Sequence, residues 1–166
     1  MISSDVVLGL GSNLGDSPAV LAGAAARLGE LLTCPRQASL YLSAPLHVTE
    51  QPLFYNTAVA GRFDGPPEAL LAAAQRIEAA FGRDRARETR WGPRPLDIDI
   101  LLFGGRIVST PLLEIPHPRL KERRFALVPL LELEPDAVEP GTGAPYRAFL
   151  EALKAPLPAR DWVRKI

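Results

Sequence analysis

The sequence predicts an α+β fold: an antiparallel sheet with helices on one face, built in the order β-α-β-β-α-β. An added hairpin strand and C-terminal helices would cover the other face and complete an α/β/α sandwich. Three observations predict it. Short apolar runs of strand length and patterning occur at residues 6–10, 37–42, 54–63 and 96–103. Two Ala- and Leu-rich segments of helical length follow the first and third of these. Their order is that of the ferredoxin-like split unit. A chain of 166 residues is long enough to bury a sizeable core as one domain, residues 1–166, and no repeat or linker divides it.

Each element has a local reason. Residues 6–10 form an apolar strand, followed by the turn-rich Gly11-Ser12-Asn13-Leu14-Gly15-Asp16-Ser17. Ser17 can cap the first helix, Pro18 suits its first position, and apolar residues recur through Leu32. Pro35 lies just beyond. Residues 37–42 read as a strand, 43–52 as a loop with two prolines, and 54–63 as the next strand. Gly65-Pro66-Pro67 opens a second helix over 67–81, with Gly82 as its C-cap. The loop 83–95 leads into the strand 96–103. Gly104-Gly105 then turns the chain into a short partner strand over 106–108. A helical turn near 118–122 and helices near 125–132 and 146–153 follow. The last dozen residues read as a docked or frayed tail.

Composition narrows the function. Acidic and basic residues number 19 each, giving net charge 0, so no global field draws in nucleic acid or an anionic membrane. Sixteen of the basic residues are Arg, the planar, bidentate partner of phosphate and carboxylate. The single cysteine, Cys34, excludes an internal disulfide and fits a reducing compartment. The start, Met-Ile-Ser-Ser-Asp, has no basic n-region, and no run approaches the ~20 apolar residues of a membrane span. The expectation is a soluble cytoplasmic monomer with no nucleic-acid or membrane partner.

The chemistry centres on Asp97 and Asp99. Two apart on a strand, their carboxylates point the same way, while Leu96, Ile98 and Ile100 point to the other face. Adjacent anions on an apolar element repel and lose hydration unless cations sit between them. Local arginines would serve. Mg²⁺ serves better, because it takes one or two carboxylates and completes its shell with water and phosphate oxygens. Arg83, Arg85, Arg87, Arg90 and Arg94 lie within twelve residues just upstream, opposed by Asp84 and Glu88. Gly92, Pro93 and Pro95 stiffen the end of that loop. Arginines facing a metal-binding carboxylate pair make a phosphate-transfer site. His117, between Pro116 and Pro118, precedes a second basic cluster of Arg119, Lys121, Arg123 and Arg124 that could reach the far side of a polyphosphate.

The remaining candidates have plainer alternatives. Gln75 and Glu78 share a helix face, which reads equally as an exposed polar stripe. Trp91, Phe54 and Phe125 are core aromatics or a stacking slot for a flat heterocycle, with Asn56 supplying amide hydrogen bonds. Gly9 to Gly15 resembles a dinucleotide fingerprint only superficially, because no acid closes the second strand. No Gly-Lys-Ser/Thr occurs, so a nucleotide would be held by the arginines and acids. A non-catalytic anion-binding module is the main rival. An RNA-binding sheet is disfavoured by the lack of an RNP-like aromatic run.

Taken together, the motifs resemble the 6-hydroxymethyl-7,8-dihydropterin pyrophosphokinase family of folate biosynthesis over about residues 6–150. They are Gly11-Ser12-Asn13-Leu14, Gln51-Pro52-Leu53-Phe54-Tyr55-Asn56, Gln75-Arg76-Ile77-Glu78, Gly82-Arg83 with Arg85, Arg90-Trp91-Gly92-Pro93-Arg94 with Leu96 to Ile100, and Pro116-His117 with Arg123 and Phe125. The resemblance implies attack of the pterin hydroxymethyl oxygen on the β-phosphorus of ATP, with AMP leaving. It implies two Mg²⁺ ions on Asp97 and Asp99, with Asp97 also touching the pterin, and charge neutralisation by Arg83 and Arg94. Arg85, Arg90, His117 and Arg123 would grip the triphosphate, with Arg94 and Trp91 also on ATP. Gln75, Glu78 and the backbone near Ile100 would hold the nucleoside. The pterin would stack between Phe54 and Phe125, bonded to Asn56 and to backbone at Ser43, Ala44, Pro45 and Leu46, with Trp91 closing over it. The loops 43–52 and 83–95 would be lids. Three departures stand out. The spacing from Arg83 to Arg90 is one residue longer than the family's familiar form, leaving Arg85 and Arg87 both open as phosphate contacts. Phe54 replaces a common tyrosine. Pro118 and Arg124 occupy positions that often hold other residues.

Overall fold

The apolar alternation around residues 6–10 belongs to a longer strand, β1 (Ser3–Ser12), at the middle of the sheet. The computed structural model describes residues 3–46, 50–84, 86, 92–153 and 162–166. β1 pairs antiparallel along its whole length with β4 (Phe54–Asp64) and on its other side with β5 (Asp97–Phe103). β3 (Tyr41–Ser43) pairs with the far side of β4, and β2 (Thr33–Gln37) continues along that same edge. The path β5-β1-β4-β3 is the ferredoxin-like arrangement, as expected.

Side-chain alternation divides the core into two layers. Val6, Leu8 and Leu10 of β1, with Ile98 and Ile100 of β5, pack against α1 (Ser17–Leu31) and α2 (Pro67–Ala80). Val7, Ala58, Ala60, Leu101 and Leu102 face α3 (Arg124–Leu133) and α4 (Tyr146–Ala152) on the opposite face. Burying a side chain such as Leu8, Leu28 or Leu127, each 0% exposed, contributes about 1.5–3 kcal/mol. A bulge sits where Val7 opposes Leu102 and Leu8 opposes Ile100. Leu101 is the extra residue there, so Leu101 and Leu102 both enter the α3 layer.

Several boundaries differ from expectation. Asp16, not Ser17, caps α1: its carboxylate accepts from the Ala19 N–H at 3.2 Å. Ser17 is inside the first turn, where its buried hydroxyl accepts from Ser12 Oγ at 2.8 Å. The expected strand 37–42 is two strands. β2 begins directly after α1 and tolerates Pro35 because it is paired on one side only. The break is held by the Ala38 N–H to the Ala58 carbonyl and by Thr57 Oγ1 to the Ala38 carbonyl, both 2.9 Å. Residues 106–108 do not extend β5. Val108–Ser109 (β6) pairs instead with Glu114–Ile115 (β7) as a separate ribbon. The β5 edge receives the His117 N–H on the Leu101 carbonyl at 3.2 Å. α2 ends as expected, with Gly82 at φ +87° just past Phe81. A one-turn 3₁₀ segment, Leu120–Glu122, leads into α3. No helix among the described residues is long and apolar enough to cross a membrane.

The tail supplies a strand the sequence reading left undefined. β8 (Val163–Lys165) pairs antiparallel with β3. Glu132 of α3 ties this edge down: it accepts from Ser39 N at 3.0 Å, Ser39 Oγ at 2.6 Å, Tyr41 OH at 2.6 Å and Lys165 Nζ at 3.4 Å. Desolvation pushes the Glu132 carboxyl up, but the hydrogen bonds from Ser39 and Tyr41 outweigh it and bring the pKa to about 2. The folded pKa lies below the ordinary 4.5, so this stabilisation is present above that pH and is lost as pH falls toward 2. Glu132→Gln should therefore cost about 1–2 kcal/mol at pH 7. Its unfolding free energy in urea should also vary less between pH 4.5 and 2 than that of the unaltered protein. Parallel pH curves would refute the assignment.

Candidate active site

Register builds the site. Asp97 of β5 opposes Gly11 of β1, which opposes Asn56 of β4. One step along, Asp99 opposes Gly9, which opposes Ala58. Directly opposed residues in antiparallel strands share a face, so the two carboxylates, two glycines, Asn56 and Ala58 stand on the α3 side of the sheet. Ile98 and Ile100 are turned into the α2 layer, as the alternation predicts.

These residues form the floor of a cleft. The start of α3 supplies one wall with Arg123, Phe125 and Ala126, and the opposite wall holds Ser43, Ala44, Leu46, Gln51 and Phe54. Pro45 is buried within that segment. Asn56 is 3% exposed. Its Nδ2 donates to Ser43 Oγ at 2.9 Å and to the Phe54 carbonyl at 3.3 Å. Its amide orientation is thereby set, and Oδ1 remains toward Gly11 as an acceptor for a ligand N–H. The Arg123 guanidinium lies 5.7 Å from the centroid of the Phe125 ring, within cation–π range.

A second hollow lies on the other side of Asp99. It is lined by Gln75 and Leu71 of α2, Ile100, the 110–114 segment, His117 and Pro118. Asp99 belongs to both walls. Glu78 does not face this hollow with Gln75. It is 1% exposed because its edge of α2 is pressed on β5, where its Oε1 accepts from the Ile98 N–H at 2.8 Å.

Cations surround the acids. Arg94 Nη1 is 3.0 Å from Asp97 Oδ2. The Arg83 guanidinium bridges Asp97 and Glu78, reaching Glu78 Oε1 at 2.5 Å. Arg123 Nη1 lies 3.5 Å and His117 Nε2 3.8 Å from Asp99 Oδ2. Burial, then the neighbouring Asp97 charge, hold the Asp99 carboxyl well above the ordinary carboxylate range. Burial, then the Arg123 charge, lower His117 to about 4, so its ring is neutral at pH 7. His117 Nδ1 accepts from the Arg119 N–H at 3.2 Å, and its Nε2 faces both Arg123 Nη1 at 3.4 Å and Asp99 Oδ2 at 3.8 Å.

Arg94 is held from behind by Asn13. The Asn13 Oδ1 accepts from the Arg94 N–H at 2.9 Å, and its own N–H donates to the Arg94 carbonyl at 3.2 Å. The Asn13 Nδ2 meanwhile donates to Gln51 Oε1 at 3.0 Å and to the Pro52 carbonyl at 3.2 Å. One buried amide therefore clasps both loops expected to be lids. Arg85, Arg87, Arg90 and Trp91 lie outside the described residues. The structural roles of Gly9, Gly11 and Asn13 were not visible in the sequence. The Gly9-to-Gly15 run resembles a dinucleotide fingerprint only superficially, and strand register is what shows that its first two glycines flank the acids.

The donor set fits a hard divalent cation. Asp97 and Asp99 supply carboxylate oxygens on one face, with no third His, Cys, Asp or Glu grouped with them among the described residues. Mg²⁺ needs no all-protein cage, since water and phosphate oxygens fill the rest of its octahedron.

A family model described as 7,8-dihydro-6-hydroxymethylpterin-pyrophosphokinase matches residues 7–135. The 2-amino-4-hydroxy-6-hydroxymethyldihydropteridine pyrophosphokinase of Methylorubrum extorquens is 45% identical over 133 residues, covering 79% of this chain and 83% of that one. The mitochondrial folate synthesis bifunctional protein of Pisum sativum is 40% identical over 146 residues, 87% of this chain but 28% of that protein. A crystal structure of Plasmodium falciparum HPPK-DHPS superposes with TM-score 0.77 at 14% identity, covering 99% of this chain and 49% of that one. At that identity it speaks to the fold, which it shares.

Proposed function

Because the chain belongs to the 7,8-dihydro-6-hydroxymethylpterin-pyrophosphokinase family, we propose that it transfers pyrophosphate from ATP to the hydroxymethyl group of 6-hydroxymethyl-7,8-dihydropterin, giving the pterin diphosphate and AMP. One observation carries the reading at the level of the site: Asp99 stands on the wall common to the two hollows. Two substrates seated in them meet at the carboxylate pair.

The residues divide the work by position. Phe54 and Phe125 sandwich the flat pterin, and Asn56 Oδ1 accepts from its N–H edge, leaving the hydroxymethyl arm toward Asp97. Gln75 and the backbone at Ile100 hold the nucleoside, with the apolar 111–113 segment against the base. Arg94 and Arg123 face the meeting point and take up negative charge as the bond to AMP breaks. Neutral His117 stands beside Arg123 on the phosphate side of Asp99. Glu78 and Arg83 hold the acid-bearing strand against α2, and Arg83 adds positive charge behind Asp97. Asp97 and Asp99 would hold two Mg²⁺ ions, which when bound would supply charge neutralisation at the phosphates and activation of the attacking hydroxyl. Arg85, Arg90 and Trp91, outside the described residues, are assigned by family membership to the triphosphate grip and the pterin site. The protein works as a cytoplasmic monomer on small molecules.

The test is AMP release measured with ATP, Mg²⁺ and the hydroxymethyl pterin, each omitted in turn. AMP formation that requires all three supports the reading. AMP formation indifferent to the pterin, or absent with all three present, sinks it.

A further inference from the structure

Backbone conformation asks for glycine at neither position 9 nor position 11, and at position 11 packing does not ask for it either. Neither has a φ in the left-handed region, so an L-residue meets no backbone strain there. A Cβ at Gly11 would have one neighbour within 4 Å, Asn56 Oδ1 at 3.5 Å, which is ordinary contact. A Cβ at Gly9 would meet Leu101 Cδ1 at 3.2 Å and Cδ2 at 3.3 Å, close contacts to which the buried Leu101 side chain would have to yield. The strand itself favours larger residues, since glycine inside a strand weakens it. What a side chain would take away at either position is the floor of the cleft, which both glycines line.

Register gives that floor a length. Asp97, Gly11 and Asn56 stand in one row across three strands, and Asp99, Gly9 and Ala58 in the next. Two interstrand steps separate the acid from the amide, about 9.6 Å. A fused two-ring heterocycle with one exocyclic carbon arm is of that length. A single ring is shorter. The row thus offers a carboxylate at one end, a hydrogen-bond acceptor at the other, and no side chain between them.

We propose that Gly11, assisted by Gly9, is a specificity-determining position: the two glycines form a side-chain-free trough that admits a flat bicyclic heterocycle between Asn56 and Asp97. The proposal rests on the pterin reading of this cleft. A methyl at position 11 would stand beside Asn56 Oδ1, where the ring must lie to be hydrogen-bonded. A methyl at position 9 would be partly accommodated by a shift of Leu101. The nucleotide hollow contains neither glycine.

The experiment compares the unaltered protein with Gly11→Ala and Gly9→Ala by titrating 6-hydroxymethylpterin, a single-ring diaminohydroxypyrimidine and Mg²⁺-ATP separately, with melting temperatures alongside. Gly11→Ala should weaken the bicyclic ligand roughly 100-fold, the upper end of an overpacking cost. Its affinities for Mg²⁺-ATP and for the single ring should stay within about threefold. Gly9→Ala should show a smaller loss of the bicyclic ligand. Failure of the unaltered protein to bind the pterin would refute the parent reading of the site. Unchanged pterin affinity in Gly11→Ala would overturn the trough alone. Equal losses for one ring, two rings and ATP at an unchanged melting temperature would also overturn it, because the effect would then not be one of ring size.

Discussion

Asp97→Ala should lower pterin-dependent AMP formation by roughly 10³-fold or more, at or beyond the upper end of what one preorganised electrostatic contact contributes. The expectation follows from where Asp97 stands. It faces the cleft at the end of the Asn56–Gly11 row, and it is the acid nearest the proposed position of the attacking hydroxyl. Its loss removes one of the two carboxylates, Asp97 and Asp99, grouped at the cleft among the described residues. Fold stability should change little by comparison. Asp97 is part-exposed and its charge raises the neighbouring Asp99, so removing it relieves one repulsion while breaking two ion pairs, to Arg83 and Arg94. ATP should still bind, because Gln75, Ile100 and His117 are untouched and lie in the other hollow. AMP release measured by chromatography, with ATP affinity by calorimetry, checks both halves. A variant retaining more than about a tenth of the activity would remove Asp97 from the chemistry, since a factor of ten is only 1.4 kcal/mol. Asp99→Asn is the companion measurement. It should be equally damaging to turnover and should also weaken Mg²⁺-ATP, because Asp99 borders both hollows.

Much of this architecture could be read from the chain because it depends on local pattern. The alternation of residues 96–101 alone put both acids on one face and Ile98 and Ile100 on the other, and β5 has that arrangement. Gly65-Pro66-Pro67 and Gly82 bracket α2 because proline and glycine act through their own backbones. What could not be read depends on pairing between distant strands. Nothing near Gly11 in sequence says that it will lie between Asp97 and Asn56. Asn13 reads as a turn residue, yet its amide binds Gln51 and Arg94, 38 and 81 residues away. Glu78 reads as a polar helix-face residue, and its burial follows only from which edge of α2 meets β5. The β8 strand is three residues long with mixed polarity, Val163-Arg164-Lys165. It has no signal of its own until β3 provides an edge for it.

Arg83→Ala should damage both stability and turnover. The Arg83 side chain is 5% exposed and the Glu78 side chain 2%, so this is an ion pair removed from water. Glu78 also accepts from the Ile98 N–H, which fastens α2 to β5 one residue from Asp97. Deleting the guanidinium leaves a buried carboxylate without its nearest charge partner, and breaking such a pair from one side typically costs about 3–5 kcal/mol. Arg83→Lys should recover part of the stability, but not all, because an ammonium cannot reproduce the planar fork that spans two carboxylates. A simultaneous Glu78→Gln should cost much less than the sum of the two single changes, since with both charges gone no uncompensated ion remains. Residues in direct contact show coupling of about 0.5–3 kcal/mol, and this pair belongs at the upper end. Urea unfolding of the four proteins measures that coupling, and AMP release on the variants that remain folded measures the catalytic share. Additive stabilities would show that Glu78 and Arg83 are neighbours without being a fastener. Full stability in Arg83→Ala with turnover lost would assign the guanidinium wholly to the transferring phosphate. Loss of stability with turnover preserved in the folded fraction would remove it from the chemistry and leave Arg94 and Arg123 as the described arginines facing the phosphates.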